Sequence, residues 1–146
     1  MGIIKLRIPI FILLAVVVVG IFVGKYTINL SGMVISYNYR DLLFNTNGNT
    51  HFHAIAGAWL LLICSILSMI LVWIKSEKAA VTAAVLCFIP PVWYIIRILL
   101  FVGKNPFIFD DFWSLLFFAV PLIAGLFFLL LAHTGGKIGV IADKRK

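Results

Sequence analysis

The sequence predicts an all-α fold, an integral membrane four-helix bundle with a short β-prone outer loop. Three observations lead there. Hydrophobic residues make up 64% of the 146-residue chain and charged ones only 12%, a balance far from that of a water-soluble domain. The apolar residues fall into four runs, each near the roughly 20 residues that a helix needs to cross a hydrocarbon core of about 30 Å. Charges gather between the runs, and four spans leave no length for a separate soluble domain. We therefore expect one domain over residues 1–146, with helices at 8–24, 54–74, 79–102 and 112–132.

The first run, Ile8 to Gly24, has Lys5 and Arg7 before it and Lys25 after it. A basic start and small residues near Val18 and Gly20 also fit a signal peptide. We count the run as the first span, with Pro9 near its start, where a missing amide proton costs little. The second run, Ala54 to Ile74, holds 21 uncharged residues and stops at Lys75. The third, Ala79 to Val102, is interrupted by Arg97 and carries Pro90 and Pro91 in its middle. That pair predicts a kink that faces neighbouring helices, because lipid offers the freed carbonyls no donor. The fourth, Phe112 to Ala132, is entered from Asp110 and Asp111 as N-cap residues, has Pro121 at its centre and is left through Gly135 and Gly136.

Between the first two spans lies the longest polar segment, Lys25 to His53. Tyr26 to Leu30 and Met33 to Tyr39 are rich in β-branched and aromatic residues and are separated by Ser31 and Gly32, which reads as a short hairpin. Asn45 to Thr50 reads as a loop. Asn29, Leu30 and Ser31 form a glycosylation sequon.

Orientation follows from the 12 Lys and Arg residues. Eight lie at Lys5, Arg7, Lys75, Lys78, Lys137, Lys144, Arg145 and Lys146, against four at Lys25, Arg40, Arg97 and Lys104. The asymmetry predicts both termini in the cytoplasm. Scattered at helix ends rather than gathered in a stripe, these charges give topology and argue against a nucleic-acid partner.

Few residues suggest chemistry. His51 and His53, with Asp41, Asp110 and Asp111 on the same side, are the candidates for a metal site, although no third ligand is set by spacing. No histidine lies deep in an apolar run, which disfavours haem, and no cofactor is expected. Cys64 and Cys87 fall at similar depths on neighbouring spans and read as packing residues. Arg97 is the one ionisable residue within a span; at roughly 7 Å from its outer end it is expected to snorkel outward and pair with Asp110 or Asp111. Small residues recur at helix-contact spacing: Ala80, Ala83, Ala84 and Cys87 on the third span, and Ala54, Gly57 and Ala58 on the second. Of these, Ala80, Ala83, Ala84 and Gly57 are the candidate interaction residues.

In layout the chain resembles the claudin and peripheral-myelin-protein type of tetraspan membrane protein. It shares the four helices, the β-prone first outer loop, the very short inner loop and the smaller second outer loop. Ser31 to Tyr39 contains neither the Trp nor the Cys pair of that family's outer loop, so the resemblance is architectural and brings no functional residues. Besides the lipid bilayer, the expected partners are other membrane protein subunits or further copies of the chain. The leading expectation is a non-catalytic accessory or structural subunit of a larger membrane complex. The alternatives are a self-associating claudin-like tetraspan making contacts through its outer loop, and a small membrane enzyme or carrier with an outer-face metal or ligand site.

Overall fold

The computed structural model describes residues 3–30, 33–44, 52–101 and 112–143. Its elements run α1 (Ile3–Val23), β1 (Lys25–Leu30), β2 (Met33–Asn38), α2 (Tyr39–Phe44), α3 (Phe52–Leu71), α4 (Glu77–Phe101) and α5 (Phe112–Asp143). Helices α1, α3, α4 and α5 are each long and apolar enough to cross a bilayer, over Leu6–Val23, Ala54–Leu71, Glu77–Leu100 and Phe112–Thr134. The chain is a multi-pass integral membrane protein.

The four helices form a closed antiparallel ring in which each packs on its neighbours in sequence and α5 returns to α1. The β1–β2 pair and α2 lie at one end of the ring, here the hairpin side; the start of α1 and the end of α5 lie at the other, the terminal side. Strands β1 and β2 pair antiparallel from Lys25 opposite Asn38 to Leu30 opposite Met33, and Asn29 faces Val34 across the ladder.

Helix boundaries differ from the apolar runs in instructive ways. α1 begins at Ile3 because Lys5 and Arg7 are good helix formers, and charge alone does not end a helix. Pro9 consequently lies in the second turn, where it denies the Lys5 carbonyl its usual donor. α3 stops at Leu71 in a turn, with the Trp73 and Ile74 amides donating to the Ile70 and Leu71 carbonyls. α5 continues through Gly135 and Gly136 to Asp143, so the glycines do not terminate it. At 32 residues it is about 48 Å long, which carries its last turns beyond the hydrocarbon on the terminal side. α2 begins at Tyr39, read from sequence as the end of the second strand, and continues through 40–44, a stretch assigned to no element from sequence.

Sorting of apolar residues is by shape rather than by polarity. α1 buries Ile10, Leu14, Val17 and Ile21 and exposes Ile8, Ile12, Val16 and Val19, so both faces are equally apolar. Such a helix has no water-soluble face, and lipid satisfies its outward side. Two cores result. The terminal-side core joins Ile10 and Leu14 to Val72, to Ala80, Ala83, Ala84 and Cys87 of α4, and to Ala124 and Phe128 of α5. The hairpin-side core joins Val17 and Ile21 to Tyr39, Leu42 and Leu43 of α2, to Ala54, Ala58 and Leu61 of α3, and to Phe117 of α5.

Close backbone approach sets both seams. A Cβ at Gly125 would meet the Phe88 ring at 2.9 Å, which places α5 directly against α4. A Cβ at Gly24 would come within 2.6 Å of the Gly20 carbonyl oxygen and 3.1 Å of the Trp113 ring, so this exit from α1 admits only glycine. Pro91 and Pro121 are fully buried, and Pro90 is buried beside them within continuous helices, so the mid-membrane prolines face helices and not lipid.

Candidate functional site

The most distinctive arrangement lies in the hairpin-side half, between α3 and α4. Ala54, Gly57, Ala58 and Leu61 recur on α3 at i, i+3, i+4 and i+7, and Pro90, Trp93, Tyr94 and Arg97 recur on α4 with the same spacing. Each set therefore forms one helix face. All eight line a single cavity of about 40 Å³, with Tyr39 and Leu42 of α2 and Phe117 of α5 completing it. The geometry follows from size. Small side chains on α3 leave room that the rings of α4 only partly fill, and the Trp93 indole lies 3.1 Å from where a Gly57 Cβ would project.

Arg97 belongs to this inner face. It is only 8% exposed, and its guanidinium carbon lies 5.5 Å from the centroid of the Tyr94 ring. The i+7 relation to Pro90 puts the side chain on the face of Trp93 and Tyr94, and the expected pairing with Asp110 or Asp111 lies outside the described residues. A cation over an aromatic face is attracted by the ring quadrupole, more strongly where water is scarce. Tyr94 in turn meets Phe118 of α5 at 5.8 Å between centroids.

α2 closes the cavity toward the hairpin side. Its amphipathic six residues bury Tyr39, Leu42 and Leu43, and three contacts hold it. Tyr39 packs edge-on against Phe117 at 4.6 Å between centroids, and its amide donates to the Gly24 carbonyl at 3.1 Å. The Trp59 indole N–H of α3 donates to the Leu43 carbonyl, also at 3.1 Å. At the helix start the Asn38 amide group donates to the Asp41 carboxylate at 2.8 Å.

No family model, curated protein or solved structure matches this chain. Chemistry must therefore be read from the residues alone.

Of the candidate interaction residues, Ala80, Ala83 and Ala84 are at most 4% exposed and sit in the terminal-side core, their face covered by the chain's own helices. Gly57 lines the cavity. His51, Asp110 and Asp111 lie outside the described residues; the backbone of His53 is in the first turn of α3. Among the described residues no three His, Cys, Asp or Glu side chains gather as a metal site would require. Cys64 and Cys87 are free and buried, and the Cys87 thiol lies 3.5 Å from the Ser68 hydroxyl, which itself donates to the Ala83 carbonyl at 3.4 Å.

Two features escaped the sequence reading. The first is the matched pair of faces, whose signal was present as small residues at 54, 57 and 58 opposite bulky ones at 90, 93, 94 and 97. The second is Arg7, 6% exposed, whose Nη1 donates to the Val72 carbonyl at 2.9 Å. This carbonyl belongs to the turn that ends α3, where unsatisfied carbonyls and the helix dipole favour a cation. The Nε of Arg7 is buried without a hydrogen-bond partner among the described residues.

Proposed function

We propose that the chain is a non-catalytic accessory subunit of a larger membrane complex, contacting its partner from the hairpin side, with both termini in the cytoplasm. The pinned α2 cap is the observation that carries this reading. A six-residue helix beside a two-stranded ladder has little stability of its own. Here Tyr39, Leu43 and Trp59 fix α2 to three of the long helices or their ends, while Arg40 and Phe44 remain exposed above it. Fixed backbone with exposed cationic and aromatic side chains suits recognition by another protein, since Arg and aromatic residues dominate binding energy at interfaces. Phe52, 77% exposed at the start of α3, extends the same end. The small-residue faces are occupied within the chain, which leaves this end as the surface for directional contacts.

The test is purification of the full chain from its membrane in mild detergent, with wild type compared to Phe44→Ser and Arg40→Glu. Loss of one stoichiometric partner in the variants, with normal insertion, is expected. Recovery of the chain only as homo-oligomers would favour the self-associating tetraspan reading, and an undiminished complex would reject the cap as its contact. For orientation, the excess of basic residues on the terminal side predicts that a cysteine at Ser76 reacts from the cytoplasm and one at Arg40 only from outside.

A further inference from the structure

We propose that the junction of α1 with the turn after α3 seats the headgroup phosphate of an anionic phospholipid, with Arg7 and Lys75 as its cations. The site is at the opposite end of the bundle from the proposed partner contact and does not rest on that reading.

The first argument is charge. Arg7 is 6% exposed, its Nη1 donates to the Val72 carbonyl at 2.9 Å, and no Asp or Glu among the described residues pairs with it. A neutral carbonyl satisfies one N–H but leaves the positive charge uncompensated where the helices have displaced much of its water. Nε is enclosed without a partner and is closed to a ligand. Nη2 is not enclosed with it and makes no hydrogen bond to the described residues, so this edge of the guanidinium is open at the surface. Its two N–H groups suit the oxygens of a phosphate. Lys75 follows three residues after Val72 in the same turn and is exposed. By sequence the terminal side holds eight Lys and Arg against two acids, Glu77 and Asp143, so its field favours anionic over zwitterionic lipid.

The second argument is depth, which favours a lipid over free phosphate. Arg7 and Val72 meet where the spans Leu6–Val23 and Ala54–Leu71 reach the same surface, at the level of headgroups. Trp73 lies there too. It is 53% exposed, and its ring packs 5.7 Å from that of Phe11, one turn along α1 from Arg7. Indole rings favour this boundary between hydrocarbon and headgroups. Ile63, Ile66 and Ile70, all exposed, lead up α3 toward Trp73 at helical spacing and give acyl chains a wall to lie against. A free phosphate would use none of these residues.

The experiment places the full chain in nanodiscs of phosphatidylcholine and phosphatidylglycerol in equal amounts and counts the lipids retained on it by native mass spectrometry. Retention of the first phosphatidylglycerol over the first phosphatidylcholine by roughly ten- to thirtyfold is expected, from two basic residues at about fivefold each. Lys75→Gln should lower that preference about fivefold. Arg7→Gln should lower it roughly tenfold or more, the range for losing a charged hydrogen-bond donor, and Arg7→Lys should restore part of it. Lys25→Gln removes the same charge on the hairpin side and should change nothing. Lys75 is exposed and its replacement disturbs no packing, so Lys75→Gln decides the matter if Arg7→Gln does not fold. Equal retention of the two lipids by the wild type overturns the proposal, as does a preference unchanged in Lys75→Gln. A loss as large in Lys25→Gln would show an effect of net charge without a seat. Displacement of the lipid by inorganic phosphate at equal concentration would show a site for the free anion. Either result also overturns it.

Discussion

On the terminal side of the bundle Ala80, Ala83, Ala84 and Ala124 meet across helix seams, whereas on the hairpin side Tyr39, Trp93, Tyr94 and Phe117 surround an incompletely filled cavity containing Arg97. The same four helices pass through both halves. Between helices in lipid there is little hydrophobic driving force, so van der Waals contact at close approach supplies much of the cohesion. Alanines at the terminal side allow that approach. At the hairpin side large rings lie between the helices without filling the space, and Arg97 lines what remains. The contrast separates a half built for cohesion from a half that retains room and charge.

The sharpest way to break this comparison is to make one substitution in each half. Ala84→Leu forces a branched side chain into a seam with no space, and overpacking of this kind should cost about 3 kcal/mol, the upper part of its usual range. Ala58→Leu adds the same atoms beside the cavity, which can accept them, and should cost about 1 kcal/mol or less. Reversible unfolding in mixed detergent micelles measures both. Equal costs would mean that the two halves do not differ in packing.

A second prediction concerns the charge that the terminal side does bury. Arg7→Met keeps much of the side-chain bulk but removes the donor to the Val72 carbonyl, and should cost about 2 kcal/mol, typical for a hydrogen bond to a charged group. Arg7→Lys should recover part of this. No loss in the Met variant would mean that the Val72 carbonyl finds another donor.

The smallest effect is expected at the α2 cap. Trp59→Phe removes one indole N–H bond to the Leu43 carbonyl and should cost about 1 kcal/mol. Its clearer signature is local: faster amide hydrogen exchange in 39–44, with α4 and α5 unchanged. Uniform acceleration across the bundle would show that α2 is part of the global cooperative unit.

The four spans were legible because bilayer thickness sets their length and the flanking charges mark their limits. Their azimuths were not. Distance along α4 places Arg97 near the hairpin-side end of its span, but hydropathy is the same on every side of this helix and does not say that Arg97 shares a cavity wall with Trp93 and Tyr94. For the same reason the α4 alanines could be recognised as a contact face without the identity of the neighbour, which turned out to be the chain itself. Arg7 was read for topology alone, because its partner is a backbone carbonyl 65 residues away and carries no side-chain signature. The cavity was the least legible feature, since a void arises from the mismatch of two faces and neither face announces it separately.

The bond between Arg7 and Val72 also orders events during synthesis. α1 enters the membrane first, carrying a guanidinium whose acceptor has not yet been made. Until the ribosome has added the turn after α3, that charge must stay with water or lipid headgroups at the membrane surface, which holds the amino-terminal end of α1 on its own side. Emergence of residue 72 then offers it an acceptor and joins the first span to the second before α5 emerges to complete the core. A residue that contributes modestly to the finished protein thus acts as a retention point for its first helix and a latch for its first helix pair.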